Sequence, residues 1–256
     1  MSQSLKDNLG FIGICLAIFA ALFCIALVYE RLAMKNRRKL SSTHYITYTA
    51  IFSSLAGVLM VLEIPLFFAP MFYKMDMSEI PVLICTFYLG PVAGVVCEFV
   101  KVVVKLMIKG TTTAFVGDFA NFAIGCSFVL PASMIYHIKK SRKSALIGML
   151  VGAVVMTVFG SLFNAVYLLP KFSQMYGVPL DALVAMGTDV NGAINSVSTL
   201  VLFAVVPFNL VKGVIDSVLT FLLYKRISPI LHKEDTKRVA RRAGDDQAAR
   251  PDKSRT

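Results

Sequence analysis

The sequence Pro207-Phe208-Asn209-Leu210-Val211-Lys212-Gly213 lies inside an apolar stretch, Ile194 to Tyr224, that otherwise consists mainly of Val, Leu, Phe, Ala and Ser. Asn209 and Lys212 are three residues apart, so they project from the same face of a helix. A lysine near the middle of a membrane helix costs about 2.5 kcal/mol or more, and such residues usually face a cavity and have a function. We therefore interpret this pair as a candidate binding site.

The composition is that of a membrane protein. Of the 256 residues, 57% are hydrophobic, whereas soluble domains contain roughly 45–50% apolar residues. The mean hydropathy of +0.71 agrees with this. The length is therefore better counted in spans of about 20 residues, and we expect an all-α integral membrane protein in contact with lipid.

The net charge of +11 is concentrated next to the apolar segments. Lys and Arg cluster at 35–39, at 139–143 and from 225 to the end of the chain. Basic residues that flank membrane spans usually lie in the cytoplasm. This pattern predicts a multi-pass plasma-membrane protein with its N-terminus outside and its C-terminus in the cytoplasm, and it argues against a nucleic-acid partner.

Seven apolar segments follow one another along the chain. One leading helix precedes six spans, and the leading helix is too long for the core of a signal peptide. We predict an extra N-terminal helix with a basic linker at 1–40, a six-helix membrane domain at 41–231 and a disordered basic tail at 232–256. The segments are Leu9–Ala33, His44–Leu62, Glu79–Leu89, Val92–Ile108, Phe115–His137, Ala145–Leu169 and Asn195–Tyr224.

Several local patterns refine this topology. Glu79–Leu89 is short for a span and must be tilted or shielded by its neighbours. Gly148 and Gly152 have the spacing that permits close helix contact. The two prolines and four aromatic residues of 63–76 favour a compact outer loop, and we interpret 170–191 as a second, longer outer loop. Glu98, Lys101 and Lys105 share a helix face, and an ion-pair stripe is favoured there over a ligand role.

The sequence contains no signature of catalysis or metal binding. GxxxxGK, HExxH and GxSxG are absent, the five cysteines form no CxxC pair, and the three histidines have no ligand spacing. We predict no catalytic residue, no metal and no cofactor. The polar residues that remain suit a small, flat, hydrogen-bonding ligand, although Asn121 and Asn195 could equally bond between helices. These residues are Asp118, Asn121, Asn164, Asn195, Asn209 and Lys212.

A set of sequence blocks between about Thr43 and Leu231 resembles one known family. The blocks include EIPLFFAP at 63–70, KMDMSEIP at 74–81, GDFANF at 117–122 and PFNLVKG at 207–213. Together they resemble the substrate-binding S components of energy-coupling-factor (ECF) vitamin transporters, in the riboflavin-binding branch. The resemblance implies a six-helix S-component bundle whose first outer loop closes over the vitamin.

The resemblance also implies particular ligand contacts and partners. Asn209 and Lys212 would be polar ligands of riboflavin, Asn164 a third, and Leu66, Phe67 and Tyr73 the contribution of the loop. Riboflavin would be a transported ligand and not a cofactor. The partners would be a transmembrane coupling protein and two ABC-type ATPases, in keeping with the missing ATP motif.

Other functions stay open at this point. An S component for FMN or another water-soluble vitamin would keep the architecture, although FMN needs a further cation and Lys74, Lys109 and Lys171 are the few outer candidates. A solitary facilitator would transport without ATPases. An intramembrane enzyme would need Asp118 or Glu98 as a base, and no paired acid or nucleophile accompanies them.

Overall fold

The structure, a computed structural model, describes residues 3–34, 42–111 and 115–226. The described residues up to Thr220 form one compact unit, and a second unit begins at Phe221. The described residues of the second unit, 221–226, are helical. The predicted tail at 232–256 and the basic cluster at 35–39 lie outside the described residues. The division into 1–40, 41–231 and 232–256 therefore stays a prediction.

The described residues form an almost entirely helical protein, as predicted. A π-helical segment, Asn164–Leu168, continues α6 into α7, and a second one, Val201–Val205, lies within the C-terminal helix. The helices are α1 (Gln3–Ala33), α2 (Thr43–Val61), α3 (Glu79–Leu89), α4 (Pro91–Lys109), α5 (Val116–Ile138), α6 (Arg142–Phe163), α7 (Leu169–Tyr176), α8 (Leu180–Thr188) and the C-terminal helix Val197–Arg226.

Within the described residues, five helical segments are long and apolar enough to cross a membrane. They are Gly13–Ala33, Thr43–Val61, Val116–Ile138, Arg142–Gln174 and Val197–Arg226. The remaining two helices of the bundle, α3 and α4, are protected by their neighbours. All eleven residues of α3 are buried, and α4 buries three of its charged side chains. The prediction that the short span is shielded is thereby confirmed.

The prediction of a long loop at 170–191 is wrong. The structure places α7 and α8 there. Pro170 is the second residue of α7 and follows the π-helical segment directly, so its missing N–H interrupts the hydrogen-bond ladder of the continuous helix Arg142–Gln174 without ending that helix. The chain leaves α7 at Gly177, which has a φ of 63°. A proline that we interpreted as the end of a span instead lies inside a continuous helical path.

Glycines on α6 allow the close contact between α5 and α6. A Cβ on Gly148 would lie 2.6 Å from the carbonyl oxygen of Ala132, and one on Gly152 would lie 2.5 Å from that of Phe128. Any larger side chain at either position would push the helices apart. The close helix contact that the Gly-xxx-Gly spacing predicted is confirmed, and it fixes α6 against the helix that carries Asn121.

The leading helix α1 docks on α4 and α5. Glu30, which is buried, accepts a hydrogen bond from the Val92 amide at 2.9 Å, at the first turn of α4. Tyr29 donates its hydroxyl to the carbonyl oxygen of Met134 at 2.6 Å. Nearer the other end of α1, the Phe19 ring contacts Phe122. A carboxylate at a helix N-terminus is favourable because it meets unpaired amides and the positive end of the helix dipole.

Replacing Glu30 with alanine should lower the stability of the folded protein by about 1–3 kcal/mol, because the Val92 amide would remain buried without an acceptor. Three buried cysteines, Cys85, Cys97 and Cys126, allow thermal unfolding in detergent to be followed with a thiol-reactive dye. Arg31→Ala, at an exposed position in the same turn, is the matched control. An unchanged midpoint for Glu30→Ala would contradict the capping role.

Candidate functional site

A cavity of about 130 Å³ lies between the first outer loop, α5, α6 and the C-terminal helix. Its wall combines aromatic and aliphatic side chains with a small group of amides and charges. Few, convergent polar groups in an apolar wall are typical of a ligand site. The polar side chains that line the cavity belong to Tyr73, Lys74, Glu79, Asn121, Asn164, Asn209 and Lys212.

Two buried amide groups in this wall have no hydrogen-bond partner within the described residues. One is the donor Nδ2 of Asn209, and the other is the acceptor Oδ1 of Asn121. Buried polar groups are normally paired, and an unpaired one calls for an explanation. A ligand that offers both an acceptor and a donor would satisfy the two amides.

The first π-helical segment, Asn164–Leu168, contributes Asn164 and Leu168 to the wall of the cavity. Asn164 begins the first segment and is buried, and its Nδ2 donates to the carbonyl oxygen of Gly160 at 2.8 Å. Gly160 also leaves space for Asn209, since a Cβ there would lie 3.0 Å from the Asn209 Nδ2. Single π-helical turns inside α-helices occur often at functional sites because they change which side chains face inward.

The outer loop reaches into the site through Tyr73. A short antiparallel pairing of Ile64–Pro65 with Lys74–Met75 closes the loop, which confirms the predicted compactness. The Tyr73 hydroxyl donates to Asn164 Oδ1 at 2.8 Å, and its ring contacts that of Phe208. Burial of the phenol raises the pKa of Tyr73 well above its usual range, so the hydroxyl stays a donor.

Lys212 forms ion pairs with two carboxylates, one just before α3 and one at its first residue. Its Nζ lies 3.2 Å from Asp76 Oδ2 and 3.7 Å from Glu79 Oε1, and all three side chains are buried. Because a buried ammonium requires a partner, these carboxylates explain how the cost of a lysine inside the bundle is met. They also fix the position from which Lys212 faces the cavity.

Asp76 is the acceptor shared by this cluster. Its Oδ1 accepts the Ser78 amide at 2.9 Å and also the Ser78 hydroxyl, and its Oδ2 accepts Asn121 Nδ2 at 3.3 Å. Burial alone would raise the pKa of Asp76. The ammonium groups of Lys212 and Lys101 and the bonds from Ser78 outweigh burial and hold that pKa well below its usual range.

A second lysine, Lys101, lies beneath the cavity and is fully buried. Its Nζ is 2.7 Å from Glu79 Oε1 and 2.7 Å from Glu98 Oε2. The Glu98–Lys101 part of the predicted ion-pair stripe is thus confirmed. Lys105 instead pairs with Asp118 on α5 at 2.5 Å. Glu79 joins both lysines, so the charges of α3, α4 and the C-terminal helix form one network.

A larger cavity of about 700 Å³ adjoins the first and shares Phe72, Lys74, Gly117, Asn121 and Phe172 with it. Its other walls come from α7 and α8, including Leu183 and Met186. The charged side chains that line it are Glu63, Lys74, Lys105, Asp118 and Asp189. Its volume lies within the roughly 300–1,000 Å³ usual for small-molecule sites.

Glu63 forms ion pairs with Lys74 and Lys109. Lys109 Nζ lies 2.5 Å and Lys74 Nζ 3.1 Å from Glu63 Oε1. Burial by itself would raise the pKa of Glu63, but the hydrogen bonds from Lys109 and Lys74 outweigh it and lower that pKa. These two lysines, which we considered as phosphate contacts, are therefore already paired with a carboxylate.

The structure brings most of the predicted site residues together. Asn121, Asn164, Asn209, Lys212 and Tyr73 all line the smaller cavity, and Asp118 lines the larger one. Asp118 also accepts the Thr111 hydroxyl at 2.7 Å in addition to its pair with Lys105.

Three predicted residues lie elsewhere. Asn195 is exposed, and its Oδ1 accepts the Thr199 hydroxyl at 3.3 Å, so it belongs to the start of the C-terminal helix. Phe67 is 92% exposed. Leu66 packs with a small apolar cluster that includes Phe208, and it lines neither cavity. Leu66 and Phe67 thus do not reach the cavities in this conformation of the loop.

Sequence reasoning missed Asp76 and Glu79 as site residues. Their partners are remote in sequence: Asp76 and Lys212 are 136 residues apart. A local signal was present, since Asp two residues before a Ser at a helix start is typical of a side-chain turn onto the backbone. Within the described ranges, no three His, Cys, Asp or Glu side chains could hold a metal ion.

Comparisons with known proteins identify the family of this chain. The family model "ECF transporter, substrate-specific component" matches residues 44–224, which leaves α1 outside the match. The riboflavin transporter RibU of Staphylococcus aureus (strain TCH60) is 32% identical over 203 residues, which are 78% of this chain and 100% of that protein. The riboflavin transporter FmnP of Bacillus subtilis (strain 168) is 30% identical over 186 residues, 72% of this chain and 92% of that protein.

A solved structure of the S component of a bacterial ECF transporter is also similar. It shares 32% sequence identity with a TM-score of 0.59, and the similarity covers 73% of this chain and 97% of the other. The family match spans all six helices of the predicted bundle and every residue that lines the two cavities. This multi-pass membrane chain therefore belongs to the substrate-specific, or S, components of ECF transporters.

Proposed function

We propose that this chain is the riboflavin-binding subunit of an ATP-driven vitamin importer. It captures riboflavin from outside the cell in the cavities beneath the first outer loop. The family membership supports the class of protein, and the names of the RibU and FmnP relatives support the ligand. Riboflavin is then cargo, and the chain has neither a cofactor nor a catalytic role.

The observation that carries the proposal is the unpaired donor and acceptor beside a lysine in one cavity. The isoalloxazine ring of riboflavin has an imide edge, with an N–H between two carbonyl groups. Asn209 Nδ2 and Lys212 Nζ can donate to ring acceptors, and Asn121 Oδ1 can accept the N–H. The rings of Tyr73 and Phe208, whose centroids are 5.6 Å apart, offer apolar faces for a flat heterocycle.

The charge of the larger cavity favours riboflavin over FMN. Three carboxylates and two lysines line that cavity, so its formal charge is negative. A neutral ribityl chain can bond to both kinds of group, whereas a phosphate would meet carboxylates whose lysine partners are already engaged. Riboflavin should therefore compete more strongly than FMN for the same site.

The partners in this proposal are a membrane-embedded coupling protein and two ABC-type ATPases. The sequence contains no phosphate-binding loop, so the energy of ATP must enter through other chains. The positive clusters support a cytoplasmic C-terminus and an outer N-terminus. Uptake by this chain without ATPases would favour a solitary facilitator instead.

The test is the absorption spectrum of the protein purified in detergent from cells supplied with riboflavin. We expect flavin bands near stoichiometric yield, and chromatography of the released pigment should identify riboflavin and little FMN. Quenching of added riboflavin fluorescence is a second readout of binding. A colourless protein that quenches neither riboflavin nor FMN would contradict the proposal.

A further inference from the structure

Asp76 touches two of the groups that face the cavity without lining the cavity itself. Its Oδ2 accepts Lys212 Nζ at 3.2 Å and Asn121 Nδ2 at 3.3 Å. Its other oxygen is occupied by Ser78, whose amide and hydroxyl both donate to it. The carboxylate is 3% exposed, so these partners take the place of water around it.

The hydrogen bond from Asn121 to Asp76 decides which end of the Asn121 amide faces the ligand. An ionised carboxylate only accepts hydrogen bonds, so it pairs with the NH₂ end of a carboxamide and not with the oxygen. With Nδ2 turned to Asp76, Oδ1 of Asn121 is the end left without a partner in the cavity wall. An asparagine without such a neighbour could rotate and offer either a donor or an acceptor.

We propose that Asp76 is a positioning residue for ligand specificity, which fixes Asn121 as an acceptor beside the donor Lys212, so that the site requires an N–H on the ring edge of its ligand. The inference rests on the proposed function for the identity of that group. In oxidised riboflavin the ring offers one N–H, at N3 of the imide. The acceptor that Asn121 presents in the cavity wall therefore selects flavins with an unsubstituted N3.

The first experiment compares riboflavin with N3-methylriboflavin on the unmodified full-length chain by fluorescence quenching. We expect the methylated flavin to bind at least about tenfold more weakly, because a buried acceptor would lose its partner. Equal affinities would overturn the inference while leaving riboflavin binding intact. Failure of riboflavin itself to bind would instead contradict the proposed function, so the two outcomes are distinguishable.

The second experiment repeats both titrations with Asp76→Asn. Ser78 keeps the one remaining oxygen as its acceptor, so the new NH₂ group faces Asn121 and favours the rotamer that turns the Asn121 oxygen away from the ligand. The discrimination against N3-methylriboflavin should then fall to less than about threefold. A purely structural or steric role for Asp76 would weaken both ligands equally and leave the ratio unchanged, which would overturn the inference. Asp76→Glu, which keeps the charge, should retain most of the discrimination.

Two further variants complete the design. Asp181→Asn, an exposed acid on α8 that lines neither cavity, should change neither affinity nor ratio. If Asp76→Asn fails to fold, Asn121→Leu removes the acceptor directly. It should bind the methylated and unmethylated flavins with affinities within about threefold of each other. A preserved tenfold preference for riboflavin in Asn121→Leu would show that another group reads N3.

Discussion

Replacing Lys212 with methionine is expected to weaken riboflavin binding more than tenfold. Methionine keeps much of the side-chain volume and removes the ammonium, so the loss reports the hydrogen bond from the charged group. Such bonds contribute about 1.5–3 kcal/mol, which corresponds to roughly 10- to 150-fold in affinity. The shorter side chain of Lys212→Ala should give a similar or larger loss.

The measurement is titration of riboflavin fluorescence against the purified variant, with thermal unfolding measured in parallel. Lys212→Met leaves Asp76 and Glu79 without one of their cations, so some loss of stability is expected as well. The double variant Lys212→Met with Asp76→Asn removes both charges and should recover stability without recovering affinity. Lys171→Met, outside both cavities, is the control. Unchanged affinity in Lys212→Met would remove this residue from the site.

Replacing Lys101 with methionine is expected to destabilise the protein by about 3–5 kcal/mol, because it leaves the Glu79 carboxylate, which lies next to the carboxyl group of Glu98, buried with too little positive charge. Lys101 is fully buried, and both carboxylates lie 2.7 Å from its ammonium. A loss of this size is a large part of the stability of a typical domain. We expect little folded protein in detergent.

The control for Lys101 distinguishes unpaired charge from lost packing. The double variant Lys101→Met with Glu79→Gln removes one carboxylate charge together with the lysine that hydrogen-bonds to it, and it should be more stable than Lys101→Met alone. Lys139→Met, at an exposed position after α5, should unfold at the same temperature as the unmodified protein. Normal yield and melting of Lys101→Met would show that the network contributes little to the fold.

Much of the site could be predicted from the sequence because helix periodicity fixes which side chains share a face. Asn209 and Lys212 were interpreted as one face of one helix, and both line the smaller cavity. Asn121, Asn164 and Tyr73 reach that cavity too. The prediction of an all-α membrane protein followed from composition and from apolar segments of spanning length.

The pairing between helices could not be predicted, because periodicity says nothing about which faces meet. Lys105 pairs with Asp118 on α5 rather than within its own stripe. The continuous helix through 164–176 was also not predicted. A π-helical turn at Asn164 shifts the register of this helix, and the sequence pattern had indicated that the helix ends before Pro170. Asn195 lies outside both cavities, next to Ser196, which caps the C-terminal helix, and helix periodicity does not distinguish a polar residue at a helix start from one at a binding site.

The docked helix α1 gives the protein two unlike sides within the plane of the membrane. It buries part of the α5 surface, including Phe122 and Leu130, that would otherwise face lipid. Rows of exposed aliphatic side chains remain on α2, α6 and the C-terminal helix, at Ile51, Leu55 and Val58, at Val154, Val158 and Leu162, and at Leu210, Val214 and Val218. A neighbouring membrane protein that approaches from the α4–α5 side would therefore contact α1 first. From the side of α2, α6 or the C-terminal helix, it could contact the six-helix unit of the family directly.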